Sequence, residues 1–361
     1  MTTLDDIEKI REHDPENMYN RIFDLPEQMA EALKIAHRWR ISADDFREIR
    51  NIVVVGMGGS AIGGELARTF LSSKLLVPFE ICRHYLLPEY VDDETLVLAS
   101  SYSGNTEETI SAVEDALTRK AMVAAISTGG LLGDICDLNQ IPIAVVPGGL
   151  QPRAALGYSF VPLMVFFEKV GLIKNVTSEI ETVIKGLQTY REVYIEDIPT
   201  EQNPAKNVAQ RMHGRIPIIY GGPTLTNAVA LRFKGQVCEN AKALSFANVF
   251  SEFNHNELVG WSPLVEKHKE HLAVVVLRDA EDHPQIRTRM NIVKEIIQKL
   301  DVEYIELHSR GSSRLERMFS LVQIADFASY YLAILDDVDP TPVDVIEGLK
   351  RKLTAKKHPA G

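Results

Sequence analysis

The sequence predicts an α/β protein of two domains, each a parallel, doubly wound sheet flanked by helices. Three observations predict it. Short apolar runs such as 51–55, 96–100 and 122–126 alternate with helical patterns, and continuous apolar strands separated by helices imply a parallel sheet covered on both faces. A glycine turn, Gly56-Met57-Gly58-Gly59, follows the first run. A second cycle of strand, glycine turn and helix begins near residue 215 and echoes the first, as an old duplication would. A chain of 361 residues suits two domains of about 100–200 residues each.

Residues 1–45 read as an N-terminal helical segment packing on the rest. Asp24-Leu25-Pro26-Glu27 starts a helix, with Asp24 as its cap and Pro26 in its first turn. Met29, Leu33, Ile35 and Ala36 follow at helical spacing. The N-terminal α/β domain spans 46–150. Its strands are Asn51–Val55, one within 75–81, then 96–100, 122–126 and 141–146, with a helix over 106–118. A helical connection covers 151–205, with helical patterns over 161–170 and 180–193. The C-terminal α/β domain spans 206–350, with strands at 216–220, 271–277 and 302–307 and a long helix over 318–335. Residues 351–361 form a basic tail, expected to fray.

Bulk composition narrows the function. The formal charge of −11 argues against a general nucleic-acid binder, which shows a basic face. Cys82, Cys136 and Cys238 are far apart and form no CxxC pair, which points to a reducing compartment without a disulfide framework. The N-terminus is polar and acidic, unlike a signal peptide, and the most apolar run, 160–167, is too short to span a bilayer. A cytoplasmic protein with no membrane partner is expected.

Two loops carry the clearest chemistry. In Gly56-Met57-Gly58-Gly59-Ser60-Ala61 the glycines let the backbone turn tightly beside a ligand, and the helix that follows offers free N–H groups to an anion. A phosphosugar site, a bare turn and a dinucleotide fingerprint all fit. The fingerprint wants an acid about 20 residues on, where Arg83 stands instead. The second loop, Ser100-Ser101-Tyr102-Ser103-Gly104-Asn105-Thr106, again leaves a strand and opens a helix. Its hydroxyls and backbone amides can hold a phosphate without a cation, and Glu107 and Glu108 favour the helix start. A serine-rich capping turn is the plainer reading.

Three further segments are candidates. Gln151-Pro152-Arg153-Ala154-Ala155 offers an arginine for a phosphate or an oxyanion. Cys238-Glu239-Asn240-Ala241-Lys242 lies on a helical run, and Glu252-Phe253-Asn254-His255-Asn256-Glu257 is too polar for a core segment. A carboxylate and an imidazole are the usual pair for proton transfer. A zinc site is a poor fit, since HExxH is absent and no cysteine lies near His255.

Together, Gly-Met-Gly-Gly-Ser, Ser-Tyr-Ser-Gly-Asn-Thr-Glu-Glu-Thr, Pro-Arg-Ala, Glu-Asn-Ala-Lys and Asn-His-Asn-Glu, in this order, resemble the bifunctional phosphoglucose/phosphomannose isomerases of the phosphoglucose isomerase superfamily. The resemblance covers about residues 20–350. It implies two sugar isomerase (SIS) domains of flavodoxin-like winding and an aldose–ketose isomerase acting on hexose 6-phosphates, with no cofactor and no metal. Gly58, Gly59 and Ser60 would line the sugar site. Ser101, Ser103 and Thr106 would hold the 6-phosphate. Arg153 would stabilise an enediolate, Glu239 would move the proton between C1 and C2, and His255 would open the ring. In this family the histidine comes from the partner subunit, so a homodimer with shared active sites is implied.

The physical logic agrees. A cyclic hexose phosphate needs a proton shuttled at O5 before it has a carbonyl, and the base that then removes a carbon-bound proton works best partly shielded from water. The developing negative charge needs a fixed donor, which an arginine supplies. One feature departs from the family pattern: a lysine is expected on a late helix of the second domain, yet residues 300–349 contain none. The second domain also lacks a serine-rich loop, having Arg278-Asp279-Ala280-Glu281-Asp282 in its place. Its carboxylates repel phosphate, so one phosphate site per chain is expected.

Two other functions are weighed. A non-catalytic, sugar-phosphate-binding regulator would carry a DNA-binding helix-turn-helix, and the first 50 residues show no convincing one. An amidotransferase on this fold would need a glutaminase domain with an N-terminal cysteine. The chain begins Met1-Thr2-Thr3, so that domain is not expected.

Overall fold

In a computed structural model, residues 3–357 are described. The chain opens with three helices, α1 (Ile7–Glu12), α2 (Met18–Phe23) and α3 (Leu25–Arg38). The first sheet follows as β1 (Asn51–Val55), α4 (Gly58–Leu71), β2 (Phe79–Cys82), β3 (Thr95–Ser101), α5 (Glu107–Thr118), β4 (Met122–Ser127), α6 (Gly130–Asn139) and β5 (Ile143–Val145). Helices α7 (Leu156–Lys169), α8 (Val176–Tyr190) and α9 (Pro204–Met212) lead to the second sheet. That sheet contains β6 (Ile216–Gly221), α10 (Thr226–Asn240), β7 (Phe246–Val249), β8 (Leu272–Arg278), α11 (Pro284–Lys299) and β9 (Glu303–His308). Two helices close the fold, α12 (Arg314–Leu335) and α13 (Asp344–Lys357).

Both sheets are wholly parallel. The first has the order β2-β1-β3-β4-β5 and the second β7-β6-β8-β9, the same winding one strand shorter. In such sheets the strand order switches direction between the first and third strands, and ligands bind outside the carboxyl ends there. The loops after β1 and β3, the two glycine- and serine-rich turns, leave the first sheet at this point.

Successive strand residues face opposite sides. Ile52, Val54, Leu96 and Leu98 pack inward with α3, α4 and α7, in the same apolar cluster as Ile219, Val275 and Leu307 of the second sheet with α10 and α12. Val53, Val55, Val97 and Ala99 face outward onto α5 and α6. Val274, Val276 and Tyr304 do the same onto α11. Helices thus cover both faces of each sheet, and the inner faces share one core. Helix α12 is long and apolar enough to cross a membrane by composition, but 94% of its most apolar window is buried inside the protein.

Several details differ from the sequence expectations. Asp24 stands at the start of α3 with Pro26 in the first turn, but its side chain makes no capping bond. Strand β5 is shorter than 141–146, and Pro142, which has no N–H, joins the sheet only as the acceptor for Ala125. Strand β7 has no counterpart among the expected strands. It is a four-residue edge strand in which Phe246 and Ala247 are exposed, so it shows no buried apolar run. The first residues of the basic tail belong to a helix rather than standing apart from residue 351. Helix α13 continues through Lys357 and contains Lys350, while 358–361 lie outside the described residues.

Candidate active site

A cavity of about 220 Å³ opens where the first turn of α4 faces α10. Gly58 and Gly59 of α4 and Gln236 and Glu239 of α10 line it, together with Arg83 and Arg153. Gly59 is what lets the helix start touch the turn that carries the arginine. A Cβ there would lie 2.4 Å from the Pro152 carbonyl carbon and 2.6 Å from the Arg153 nitrogen.

Arg153 lies in a single 3-10 turn, Pro152–Ala154, and is 3% exposed. Its donors are almost fully committed. Nε donates to Asn240 Oδ1 at 2.7 Å, and Nη2 donates to the carbonyls of Pro340 at 2.7 Å and Thr341 at 2.8 Å. Nη1 reaches Glu239 Oε2 at 3.4 Å. Burial lowers the guanidinium's pKa, against the opposing pull of Glu239. The turn itself is clamped by Gln28 of α3, whose amide donates to the Ala154 carbonyl at 2.8 Å and accepts from Gly157 N–H at 2.6 Å.

Glu239 occupies the last turn of α10 with its side chain 30% exposed. The same helix carries a polar stripe turned inward. Arg232 pairs with buried Asp326 of α12 at 2.6 Å and donates to the Arg153 carbonyl at 3.1 Å, and Gln236 donates to Asp326 at 2.9 Å. These contacts hold α10 in register against the turn bearing Arg153.

The serine loop lies on the other side of the α4 start. Ser60 Oγ accepts from Tyr102 N–H at 3.0 Å, and Ser100 Oγ donates to the Ser60 carbonyl at 3.3 Å, so the two turns move as one. Ser101 Oγ bonds Thr106 Oγ1 at 3.0 Å, while Ser103 is exposed and accepts from Asn105 N–H. Thr106 precedes α5, and its side chain makes no capping bond; a helix start is the usual place for an anion.

The structure therefore brings Gly58, Gly59, Arg153 and Glu239 around one cavity, and joins Ser60 to the loop of Ser101, Ser103 and Thr106. It does not bring His255 there. That residue is exposed at the end of a 3-10 turn, Glu252–His255, after the edge strand β7, and does not line the cavity. Within the same motif Glu257 is structural: it accepts from Tyr220 OH and from Asn248 Nδ2. In the loop after β8, Asp279 and Asp282 turn inward; Asp279 pairs with Arg317 at 2.9 Å and Asp282 accepts from Asp279 N–H at 2.9 Å. Among the described residues, no cluster of three or more histidine, cysteine or carboxylate side chains is placed to hold a metal ion.

Sequence reasoning passed over Arg83, Lys234 and Gln236 as cavity residues. The signal for the last was available, because Arg232, Gln236 and Glu239 recur at helical spacing among apolar positions. Arg83 stands beyond β2, where its guanidinium reaches buried Glu65 at 3.2 Å.

A family profile described as "Bacterial phospho-glucose isomerase C-terminal SIS domain" matches residues 201–353, and another described as "SIS domain" matches residues 45–141. The bifunctional phosphoglucose/phosphomannose isomerase of Caldicellulosiruptor bescii is 45% identical over 343 residues, 94% of this chain and 100% of that one. This chain belongs to the bifunctional phosphoglucose/phosphomannose isomerase family. Family members from Thermoplasma acidophilum and Aquifex aeolicus are 37% and 35% identical, over 84% and 89% of this chain and 90% and 95% of theirs. Among solved structures, a hypothetical protein of Thermus thermophilus superposes with a TM-score of 0.75 at 16% identity, covering 97% of this family member and 92% of that chain. A likeness at that identity speaks for the shared two-SIS fold alone.

Proposed function

We propose that this chain is an aldose–ketose isomerase that interconverts glucose 6-phosphate and mannose 6-phosphate with fructose 6-phosphate. The observation that supports it most is the 3.4 Å contact between Arg153 and Glu239 on the wall of one cavity. The serine loop anchors the 6-phosphate through Ser101, Ser103, Thr106 and the start of α5, and Gly58, Gly59 and Ser60 lie along the sugar. In the open-chain aldose, the Glu239 carboxylate takes the proton from C2. The electron pair forms the C1–C2 double bond, and negative charge moves onto O1. Arg153, already fixed by three other acceptors, meets that charge without reorganising. The proton passes between the oxygens, and Glu239 returns its own proton to C1, leaving the ketone at C2. The same base reaches either C2 epimer if the C2–C3 bond turns, which accounts for both sugars.

Ring opening breaks the C1–O5 bond, delivers a proton to O5 and removes one from the C1 hydroxyl, leaving the C1 aldehyde. We assign it to His255 of a second copy of the chain, and with it a homodimer. The segment around His255 offers Leu244, Phe246, Val259 and Leu264 exposed to solvent, an apolar surface of the kind that pairs with its own copy. Cys82, Cys136 and Cys238 are free thiols, which suits action in the cytoplasm. A coupled assay with each hexose 6-phosphate tests the reading. Turnover of glucose 6-phosphate and mannose 6-phosphate is expected. Tight binding with no turnover of any of them would replace it with the regulator.

A further inference from the structure

The helix that carries the base ends at Asn240, one residue past Glu239, and the last carbonyls of any helix lack intrahelical partners. Ala241 follows in a right-handed conformation, and Lys242 stands at φ 56°. Glycine is the usual occupant of that left-handed position at a helix end, because it bears no Cβ. The ammonium gives lysine a reason to be there. Nζ donates to the carbonyl of Glu239 at 2.8 Å, to that of Asn240 at 3.2 Å and to that of Pro340 at 3.1 Å. The Pro340 carbonyl also accepts from Arg153 Nη2, and Arg153 Nε donates to the Asn240 side chain. One ammonium thus ties the backbone of the base to the loop that holds the arginine.

We propose that Lys242 is a positioning residue for the isomerisation, its charged amine locking the end of α10 against the 340 loop and so setting the spacing between the Glu239 carboxylate and the Arg153 guanidinium. This rests on the isomerase reading above. The groups facing the ammonium are Arg153, Glu239, Asp339 and Asp344. Burial first, and then Arg153, lower its pKa to about 8. Above that value the neutral amine keeps two N–H donors for three carbonyls, and the clamp loosens.

Two variants of the full chain test it, Lys242→Gly and Lys242→Arg. Glycine suits the left-handed backbone, which offsets part of the loss of three hydrogen bonds, so Lys242→Gly is expected to fold with a melting temperature within a few degrees of wild type. Its kcat is expected to fall about ten- to a hundredfold, with KM nearly unchanged, as misplacement of a catalytic pair does. The wild type is expected to lose kcat as pH rises through about 8; Lys242→Arg is expected to restore most of kcat and to abolish that alkaline fall, since a guanidinium stays charged there. Wild-type kcat in Lys242→Gly, a loss confined to KM, or an alkaline limb unchanged in Lys242→Arg would overturn the assignment while leaving the isomerase reading intact. A wild type with no turnover overturns both.

Discussion

Arg153 and Glu239 stand 86 residues apart in the chain and meet at 3.4 Å. The arginine comes from the turn after the first sheet, the glutamate from the first helix of the second. Neither domain contains the pair. Arg153 enters the contact already held by Asn240, Pro340 and Thr341, so its position is set before substrate arrives. A preset donor of this kind stabilises a developing charge at little cost in reorganisation.

Replacing Glu239 by glutamine removes the proton acceptor while keeping the side-chain shape. Expected is a loss in kcat of about 10²–10⁴, the range for a positioned general base. Affinity for a hexitol 6-phosphate, measured by calorimetry, should change little.

Mixed oligomers locate the histidine. Glu239→Gln and His255→Ala chains are each expected to be inactive alone. Refolded together in equal amounts, they should regain about one quarter of wild-type activity, because in the proposed homodimer half of the pairs then hold one intact site built from both copies. Absence of recovery would place His255 in the site of its own chain, and an active His255→Ala chain would place it outside any site.

The serine loop separates binding from fold. Ser101→Ala deletes a hydroxyl whose protein partner is Thr106 Oγ1. It is expected to raise KM about 10- to 100-fold, as loss of a hydrogen bond to a charged group does, with kcat largely kept. Gly104→Ala should do worse. Gly104 has φ +68°, and a Cβ there would stand 1.8 Å from the Gly129 carbonyl oxygen, so the loop must move. A lower melting temperature and loss of phosphate binding are expected together.

Acid should weaken the start of α12. Burial raises the pKa of Glu316, but the N–H of Ser312, the hydroxyl of Tyr190 and the N–H of Ser313 outweigh it, and the carboxyl sits below its usual 4.5. A depressed carboxyl pKa stabilises the fold above the unfolded value, and that stability is lost as pH falls through the folded one. Glu316→Gln is therefore expected to cost about 1 kcal/mol at neutral pH. The difference from wild type should close below pH 4.5 in urea melts.

The elements most legible in the sequence were those whose every residue is buried. Strands β3 and β4 are covered on both faces and read as unbroken apolar runs. Strand β7, at an edge with exposed side chains, leaves no such trace. The two turns that stand together at the carboxyl ends of β1 and β3 were legible as well, because their glycines and hydroxyls lie close together in sequence. What sequence could not convey was which distant segments meet. The hold of Pro340 and Thr341 on Arg153 depends on how the domains dock, and the role of Glu257 in binding Tyr220 rather than substrate depends on the fold of one turn. Arg83 stood out only as the wrong residue for a dinucleotide site; its place on the cavity wall follows from the end of β2.

The inner faces of the two sheets lie in one apolar cluster with α4, α7, α10 and α12. A chain cut anywhere within 151–205 would open to water the apolar helix faces that pack across the two halves, α4 on α10 and α8 on α12, so the repeat visible in the sequence is not a repeat of independent parts. Heat or urea should dissolve both halves in one cooperative step. Parting the domains would bring that shared interior into water, so substitutions along the seam between α10 and α12 are answerable to both halves at once.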